Sequence, residues 1–255
     1  MRTFLILALL AMISGSYVLP TVSQREEDPE QTPGFFEGDI VLRPKSRNCM
    51  SNPTQYWPDG IVYYKFWEEF ADVRKDFIRK AMDIVEEGSC VRFKEADDDQ
   101  PYFVNITGNP GGCYSTVGFV ADISILNLQK HALNTGCYRT GKIIHELLHA
   151  LGFYHMQSTY DRDDYIRIAY ENVEPSFVHD FKKYSKDFVK DFGEKYDYGS
   201  IMHYSPHAFS ANGAKTIVPL QDIPEGLMGQ REALSTVDLI KLNKMYKCTE
   251  LQVED

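Results

Sequence analysis

The sequence predicts an α+β protein built in two lobes, and three features carry that reading. Up to about residue 152, apolar residues alternate at strand spacing or recur at helical spacing, so a mixed sheet with helices is expected. Beyond Gly152 the segments become short and irregular, punctuated by Gly, Pro and Asp, which predicts a loop-rich second lobe. Between the halves lies an apolar helix that carries closely spaced histidines. A chain of 255 residues can hold one large domain or two small ones. No internal repeat or low-complexity tract interrupts it.

The elements follow in order. Residues 1–16 read as a signal peptide outside the fold: Arg2 precedes the apolar run 4–13, and Ser14 and Ser16 flank a cleavage point after Ser16. That run is too short to span a bilayer and no other stretch is long and apolar enough, so a secreted chain without a membrane anchor is expected. Residues 17–47 are polar, with the run Arg25-Glu26-Glu27-Asp28-Pro29-Glu30-Gln31, and their composition suggests little structure of their own. Pro44-Lys45-Ser46-Arg47 offers a basic cleavage point between Arg47 and Asn48, suited to a trypsin-like activating protease. The globular part, 48–255, has lobes of about 48–152 and 153–248. Residues 61–64 read as a strand after the Pro58-Asp59-Gly60 turn. Phe70, Val73, Phe77, Ala81 and Val85 recur at helical spacing, and that stripe is expected in the core. Short strands are expected at 91–93, 102–106 and 120–126, and the histidine helix near Thr140. A last helix spans 235–246 with Ser235 as N-cap, although the residue three on is Asp238 in place of Glu or Gln.

The run His145-Glu146-Leu147-Leu148-His149-Ala150-Leu151-Gly152-Phe153-Tyr154-His155 has the pattern H-E-x-x-H-x-x-G-x-x-H. His145 and His149 lie four apart, so on a helix their rings stack one turn apart on one face and can share a metal. His155 joins them only if the chain turns back. On a continued helix it would sit roughly 15 Å further along the axis, while a zinc–nitrogen bond is about 2.1 Å. Gly152 stands where the helix would end in a left-handed residue. Glu146 reaches the site from beside it without being a ligand. An ordinary buried helix is the bland alternative, but with seven histidines in the chain the five fixed positions match by chance about once in 10⁵. One catalytic Zn²⁺ is therefore expected on His145, His149 and His155.

The formal net charge of -10 argues against nucleic-acid or anionic-membrane partners. Acidic runs such as 95–99 read as solvated loops. Asn105-Ile106-Thr107 is a glycosylation sequon. Of the five cysteines, Cys49, Cys90, Cys113, Cys137 and Cys248, four pair in an oxidising compartment and one is left over, with the partners open from spacing alone. His131, His179, His203 and His207 are assigned to surface or core.

Beyond the general zinc signature, residues 35–248 resemble the astacin family of zinc endopeptidases, within the metzincin clan. Phe36-Glu37-Gly38-Asp39 resembles the aspartate switch of its prosegments. Asp161-Arg162-Asp163-Asp164-Tyr165-Ile166 looks like the segment after its zinc loop, and Ser200-Ile201-Met202-His203-Tyr204 like its Met-turn. The resemblance implies a two-lobed metzincin-like fold, with Met202 beneath the ligands and Tyr204 reaching the metal. It implies a zymogen in which Asp39, on the prosegment 17–47, caps the zinc. It also implies the pairs Cys90–Cys248 and Cys113–Cys137. Gly112-Cys113-Tyr114-Ser115-Thr116-Val117-Gly118 resembles the edge strand along which substrate backbone aligns.

Three departures stand out. Met156 replaces the Glu that follows the third histidine in the family and meets the new N-terminus after activation. Cys49 has no evident partner, so it stays free, caps another thiol or joins two chains of an otherwise monomeric protein. Residues 119–122 lack the usual glycine-rich continuation. The implied function is a secreted endopeptidase acting on proteins or peptides, with Glu146 as general base and Tyr204 helping to stabilise the oxyanion. The rival is a catalytically silent secreted binding protein; intact ligands and an intact Glu146 argue against it.

Overall fold

The computed structural model describes residues 28–42 and 55–248. The expected signal peptide 1–16, the cleavage point at Arg47 and Asn48, and Cys49 lie outside the described residues.

The first lobe is a six-stranded sheet covered on one face by helices. Its strands are β1 (Ile40–Val41), β2 (Ile61–Phe66), β3 (Arg92–Glu95), β4 (Val104–Thr107), β5 (Cys113–Thr116) and β6 (Ser124–Leu128), in the order β1-β5-β6-β4-β2-β3. All pairs are parallel except β5 with β6. Period-two burial puts Val62 and Tyr64 of β2 under the helices. Helices α1 (Asp72–Glu87) and α2 (Thr140–Leu151) pack on each other, and α2 lies on β5 and β6. Ile78, Ala81, Met82 and Val85 of α1 meet Ile144, Leu147, Leu148 and Leu151 of α2 in one buried core. The second lobe holds the antiparallel pair β7 (Ile166–Ile168) and β8 (Ile217–Pro219), together with a smaller core around Phe181, Tyr196, Phe209 and Ile217. Helix α3 (Thr236–Met245) starts at a capping box: Ser235 Oγ accepts from Asp238 N, and the Asp238 carboxylate accepts from Ser235 N.

Several expectations need correction. Val73 is 57% exposed and outside the core; an i+4 ladder drifts, so Val73 points about 120° away from Val85. The strand expected from residue 120 starts at Ser124, because Ala121 adopts φ 50°, which a strand cannot contain. The lobes do not divide cleanly at residue 152, since Leu242 and Met245 of α3 return to the first core. Residues 28–42 are ordered, with Ile40, Glu37 and Asp39 buried. Their order is borrowed: β1 pairs with β5 in parallel, Ile40 beside Ser115, and Ser115 N donates to Asp39 O at 2.8 Å.

Both expected disulfides are present, Cys90–Cys248 and Cys113–Cys137. The first closes a loop of 158 residues, worth about 5 kcal/mol on the chain-entropy account.

Candidate metal centre

Helix α2 carries His145 and His149 one turn apart and ends at Gly152, whose φ of 116° sends its N–H back to His149 O at 2.8 Å. Phe153 N donates to Leu148 O at 2.9 Å, and the reversed chain delivers His155 beside the other two rings. Each Nδ1 is occupied: His145 by Ile201 O at 2.8 Å, His149 by Phe153 O at 2.7 Å, His155 by Glu37 Oε2 at 2.8 Å. Those bonds fix the tautomers and aim all three Nε2 lone pairs inward. All three rings are fully buried.

A tight turn presents Asp39 to them. Phe36 and Ile40 pair across Glu37-Gly38-Asp39, where Glu37 and Gly38 have φ of 49° and 81°. Asp39 Oδ2 lies 3.2 Å from His145 Nε2 and from His155 Nε2, and Oδ1 lies 3.4 Å from His149 Nε2. The same turn thus sets a carboxylate against each ring nitrogen of His155.

The electrostatics ask for a cation. Burial alone would raise Asp39, yet His155, His149 and His145 outweigh it and hold its carboxyl well below the usual range. Burial would lower His155, but Asp39 and Glu37 push it up to about 9. Burial and Arg231 keep His145 well below the usual imidazole value. Zinc fits this donor set. The three Nε2 atoms and the Asp39 carboxylate lie within 4.8 Å of one another, and a tetrahedron with bonds of about 2.1 Å has edges of about 3.4 Å. The buried His149 Nε2, Asp39 Oδ1, Glu146 Oε1 and Glu146 Oε2 have no hydrogen-bond partner, a costly group of orphans unless an ion or its water satisfies them.

Glu146 lies on α2 with both carboxylate oxygens free, and burial, then Asp39 and Glu30, push its pKa well above the ordinary value. Met202 is buried, and its carbonyl accepts from Met156 N at 3.0 Å. The Tyr204 ring packs on His155 at 4.6 Å, but its hydroxyl donates to Glu37 O at 2.5 Å. With the turn docked, this phenol is held by Glu37 O.

Comparison with known proteins settles the lineage. The model of the family described as Astacin (Peptidase family M12A) matches residues 49–247. The chain belongs to the astacin family. Seminal metalloprotease 1 of Drosophila melanogaster is 43% identical over 237 residues, spanning 91% of this chain and 94% of that relative. Low choriolytic enzyme of Oryzias latipes is 39% identical over 224 residues, 84% of this chain and 78% of its own. Among solved structures, high choriolytic enzyme 1, a hatching enzyme zinc-protease from Oryzias latipes, superposes with a TM-score of 0.70 at 32% identity. That match covers 78% of this chain and 97% of that one. This astacin is a zinc metalloendopeptidase, and its fold is the expected two-lobed metzincin type.

The structure brings together all of His145, His149, His155, Glu146 and Asp39. It also adds residues the sequence reading passed over. Glu37 was only part of a motif, yet its carboxylate also accepts from Ser158 Oγ at 2.8 Å and Tyr184 OH at 2.7 Å, while its N–H donates to Asp180 Oδ1 at 2.9 Å. Glu30 pairs with Arg231 at 2.9 Å, and Asp28 with Lys142, along a cleft cavity of about 510 Å³. The acidic run Asp28-Pro29-Glu30 facing lone basic residues was the only signal for these pairs. His203, left without a catalytic role, accepts from Tyr196 OH at 2.7 Å on one ring nitrogen and donates to Tyr204 O at 2.7 Å from the other.

Proposed function

We propose that this astacin is a secreted endopeptidase made as a zymogen, kept silent by residues 17–47 and freed by cleavage between Arg47 and Asn48. The observation that carries the reading is the Asp39 carboxylate set against three inward-facing imidazoles, with the Tyr204 hydroxyl held on Glu37 O by the same turn. Parallel pairing of β1 on β5 supports it further, since that edge is then closed to a substrate strand.

His145, His149 and His155 would hold the ion as neutral imidazoles, the Nδ1 protons of His145 and His149 committed to Ile201 O and Phe153 O and that of His155 to Glu37 while the turn is docked. Bound there, zinc supplies Lewis-acid chemistry that acidifies water and polarises the scissile carbonyl. Glu146 accepts the proton of the attacking water and returns a proton to the leaving amine. Its carboxylate oxygens have no hydrogen-bond partner among the described residues, which leaves both free to take that proton. Tyr204, once released from Glu37 O, donates to the developing oxyanion. The substrates are proteins or peptides bound extended along β5.

Further points belong to the same reading. Asn105 lies on β4, half-buried, flanked in register by Lys65 and Ile125, and would carry a glycan on the sheet face away from the helices. Behind His155, the Lys241 amine sits 3.6 Å from Met156 Sδ, so an internal cation already occupies the space next to the residue that replaces the family's Glu. Forms starting a few residues before Asn48 should then match the activity of forms starting at it. The reading is tested by casein hydrolysis before and after tryptic cleavage. Silent precursor and chelator-sensitive, zinc-restorable activity after cleavage are expected. An equally active precursor would remove the zymogen, and an inert zinc-loaded product would revive the binding-protein alternative.

A further inference from the structure

The six-stranded sheet is closed on three of its four sides. Helices cover one face, and β1 covers the β5 edge. At the opposite edge, side chains of α1 take the backbone groups of β3. Phe93 N donates to Glu86 Oε1 at 2.6 Å, and Arg79 Nη1 donates to Phe93 O at 3.1 Å, which blocks an added strand there. The fourth side, the face turned away from the helices, keeps large apolar side chains in water: Ile123 is 45% exposed and Ile125 38%. A mostly parallel sheet is ordinarily covered on both faces. Asn105 stands in the middle of the uncovered one. It pairs in register with Lys65 on one side and Ile125 on the other, while Val104 and Ile106 point into the core. Phe103 lies on the same face two residues back, with the Lys65 amine 5.2 Å above its ring, and Tyr63 stands on that side of β2. The Asn105 amide makes no hydrogen bond to any described residue.

We propose that an N-linked glycan on Asn105 folds down over this face, its sugar rings lying against Ile125 and Phe103, and is the cover the sheet otherwise lacks. The inference rests on the reading of Asn105-Ile106-Thr107 as a used sequon. In the transfer, Asn105 Nδ2 attacks C1 of a lipid-linked oligosaccharide. The Nδ2–C1 bond forms as the C1–O bond breaks, the lipid pyrophosphate leaves, and Nδ2 loses one proton. In the folded sheet Thr107 is buried and its Oγ1 donates to Asn127 Oδ1 at 2.7 Å, so the transfer precedes closure of the sheet. The glycan suits the face. A pyranose ring sets apolar C–H groups against apolar side chains and keeps its hydroxyls in water. Tethered at the centre of the patch, it meets Ile125 and Phe103 at the high effective concentration of an intramolecular encounter. A second copy of the chain is the rival occupant, but two chains of formal charge -10 repel each other.

The test uses the full chain from a eukaryotic secretory host, as wild type, Asn105→Gln, Ile125→Ser and the double variant. Zinc content and casein hydrolysis after cleavage check that each is folded. Mass spectrometry of the peptide holding Asn105 shows whether the glycan is attached; an unmodified Asn105 would fail the sequon reading and this proposal with it. Denaturant titration should give an unfolding equilibrium constant about tenfold smaller for wild type than for Asn105→Gln, the effect of taking about 60 Å² of apolar surface out of water. In the Ile125→Ser background that difference should shrink to about twofold or less, because the contact is gone. Leu220→Ser, a change at an exposed apolar residue of the second lobe, should keep it whole. A glycan effect of equal size in wild type and Ile125→Ser, or none in either, would overturn the proposal, since a glycan pointing into water acts only through the unfolded chain. With the glycan attached, that result leaves the sequon reading standing. A glycosylated wild type that sediments as a dimer while Ile125→Ser sediments as a monomer would assign the face to a second copy and overturn the proposal too.

Discussion

If the chain is the zymogen proposed above, Gly38→Ala should open it without touching a ligand. Gly38 has φ +81°, and a Cβ there would lie 2.6 Å from Glu30 O and 2.8 Å from Phe209 Cζ. The ring can yield, but the Glu30 carbonyl is backbone, anchored by the pairing of the Glu30 side chain with Arg231. The left-handed conformation costs a non-glycine residue about 1–2 kcal/mol, and overpacking adds about 1–3 kcal/mol. Together they should raise the undocked fraction of residues 28–42 by roughly 30-fold to several thousandfold, at 1.4 kcal/mol per decade. The assay is peptide hydrolysis by the intact precursor, with Arg47→Ala present throughout to block cleavage. Gly34→Ala is the control: its φ is +96° but no atom lies within 4 Å of the added carbon. It should therefore show only the smaller conformational effect, about 5- to 30-fold. A Gly38→Ala precursor as silent as wild type, or one no more active than Gly34→Ala, would refute the reasoning.

Other consequences can be tested alongside. Asp39→Ala should give a precursor that hydrolyses peptides uncleaved, at least tenfold above wild type, since it removes a charged acceptor from three imidazoles; a silent precursor would count against the switch. Asp238 accepts from Ser200 Oγ at 2.6 Å and Ile201 N at 2.9 Å, and Ile201 O orients His145. Asp238→Ala should therefore leave two buried donors without an acceptor, lowering stability by about 2–5 kcal/mol, and weaken zinc binding roughly 10- to 100-fold, read by denaturant titration and chelator competition. Burial lowers His203 to about 4, below its unfolded value, so the unfolded chain takes up the proton first. Stability is then lost as pH falls from about 6.5 toward 4, by about 3 kcal/mol. His203→Gln should remove that slope, and a stability difference between the two proteins that stays constant from pH 7 to 4 would contradict it.

How much could be read from the sequence depended on the range of the contact. His145 and His149 were legible because a helix fixes i,i+4 geometry, and His155 because only a turn at Gly152 could bring it back. The N-cap at Ser235 was local too, and Asp238 completes its box despite the unusual residue type. Resemblance, not spacing, supplied the pairing of Cys90 with Cys248. The role of Glu37 was invisible because its partners lie more than a hundred residues away. Residues 28–42 read as unstructured because their order comes from the β5 edge and from Arg231 and Lys142, not from their own composition. The bond from the Tyr204 hydroxyl to Glu37 O was illegible for the same reason: it follows the docked turn, which its own neighbours do not encode.

The central claim, zinc-dependent hydrolysis with Glu146 as the base, is tested most directly on Glu146→Ala beside the wild type, both activated by trypsin. Zinc stoichiometry and casein hydrolysis are measured on the same samples. One zinc per chain in both proteins is expected, with hydrolysis reduced by about 10²–10⁴ in the variant. Substantial hydrolysis by zinc-loaded Glu146→Ala would contradict the account.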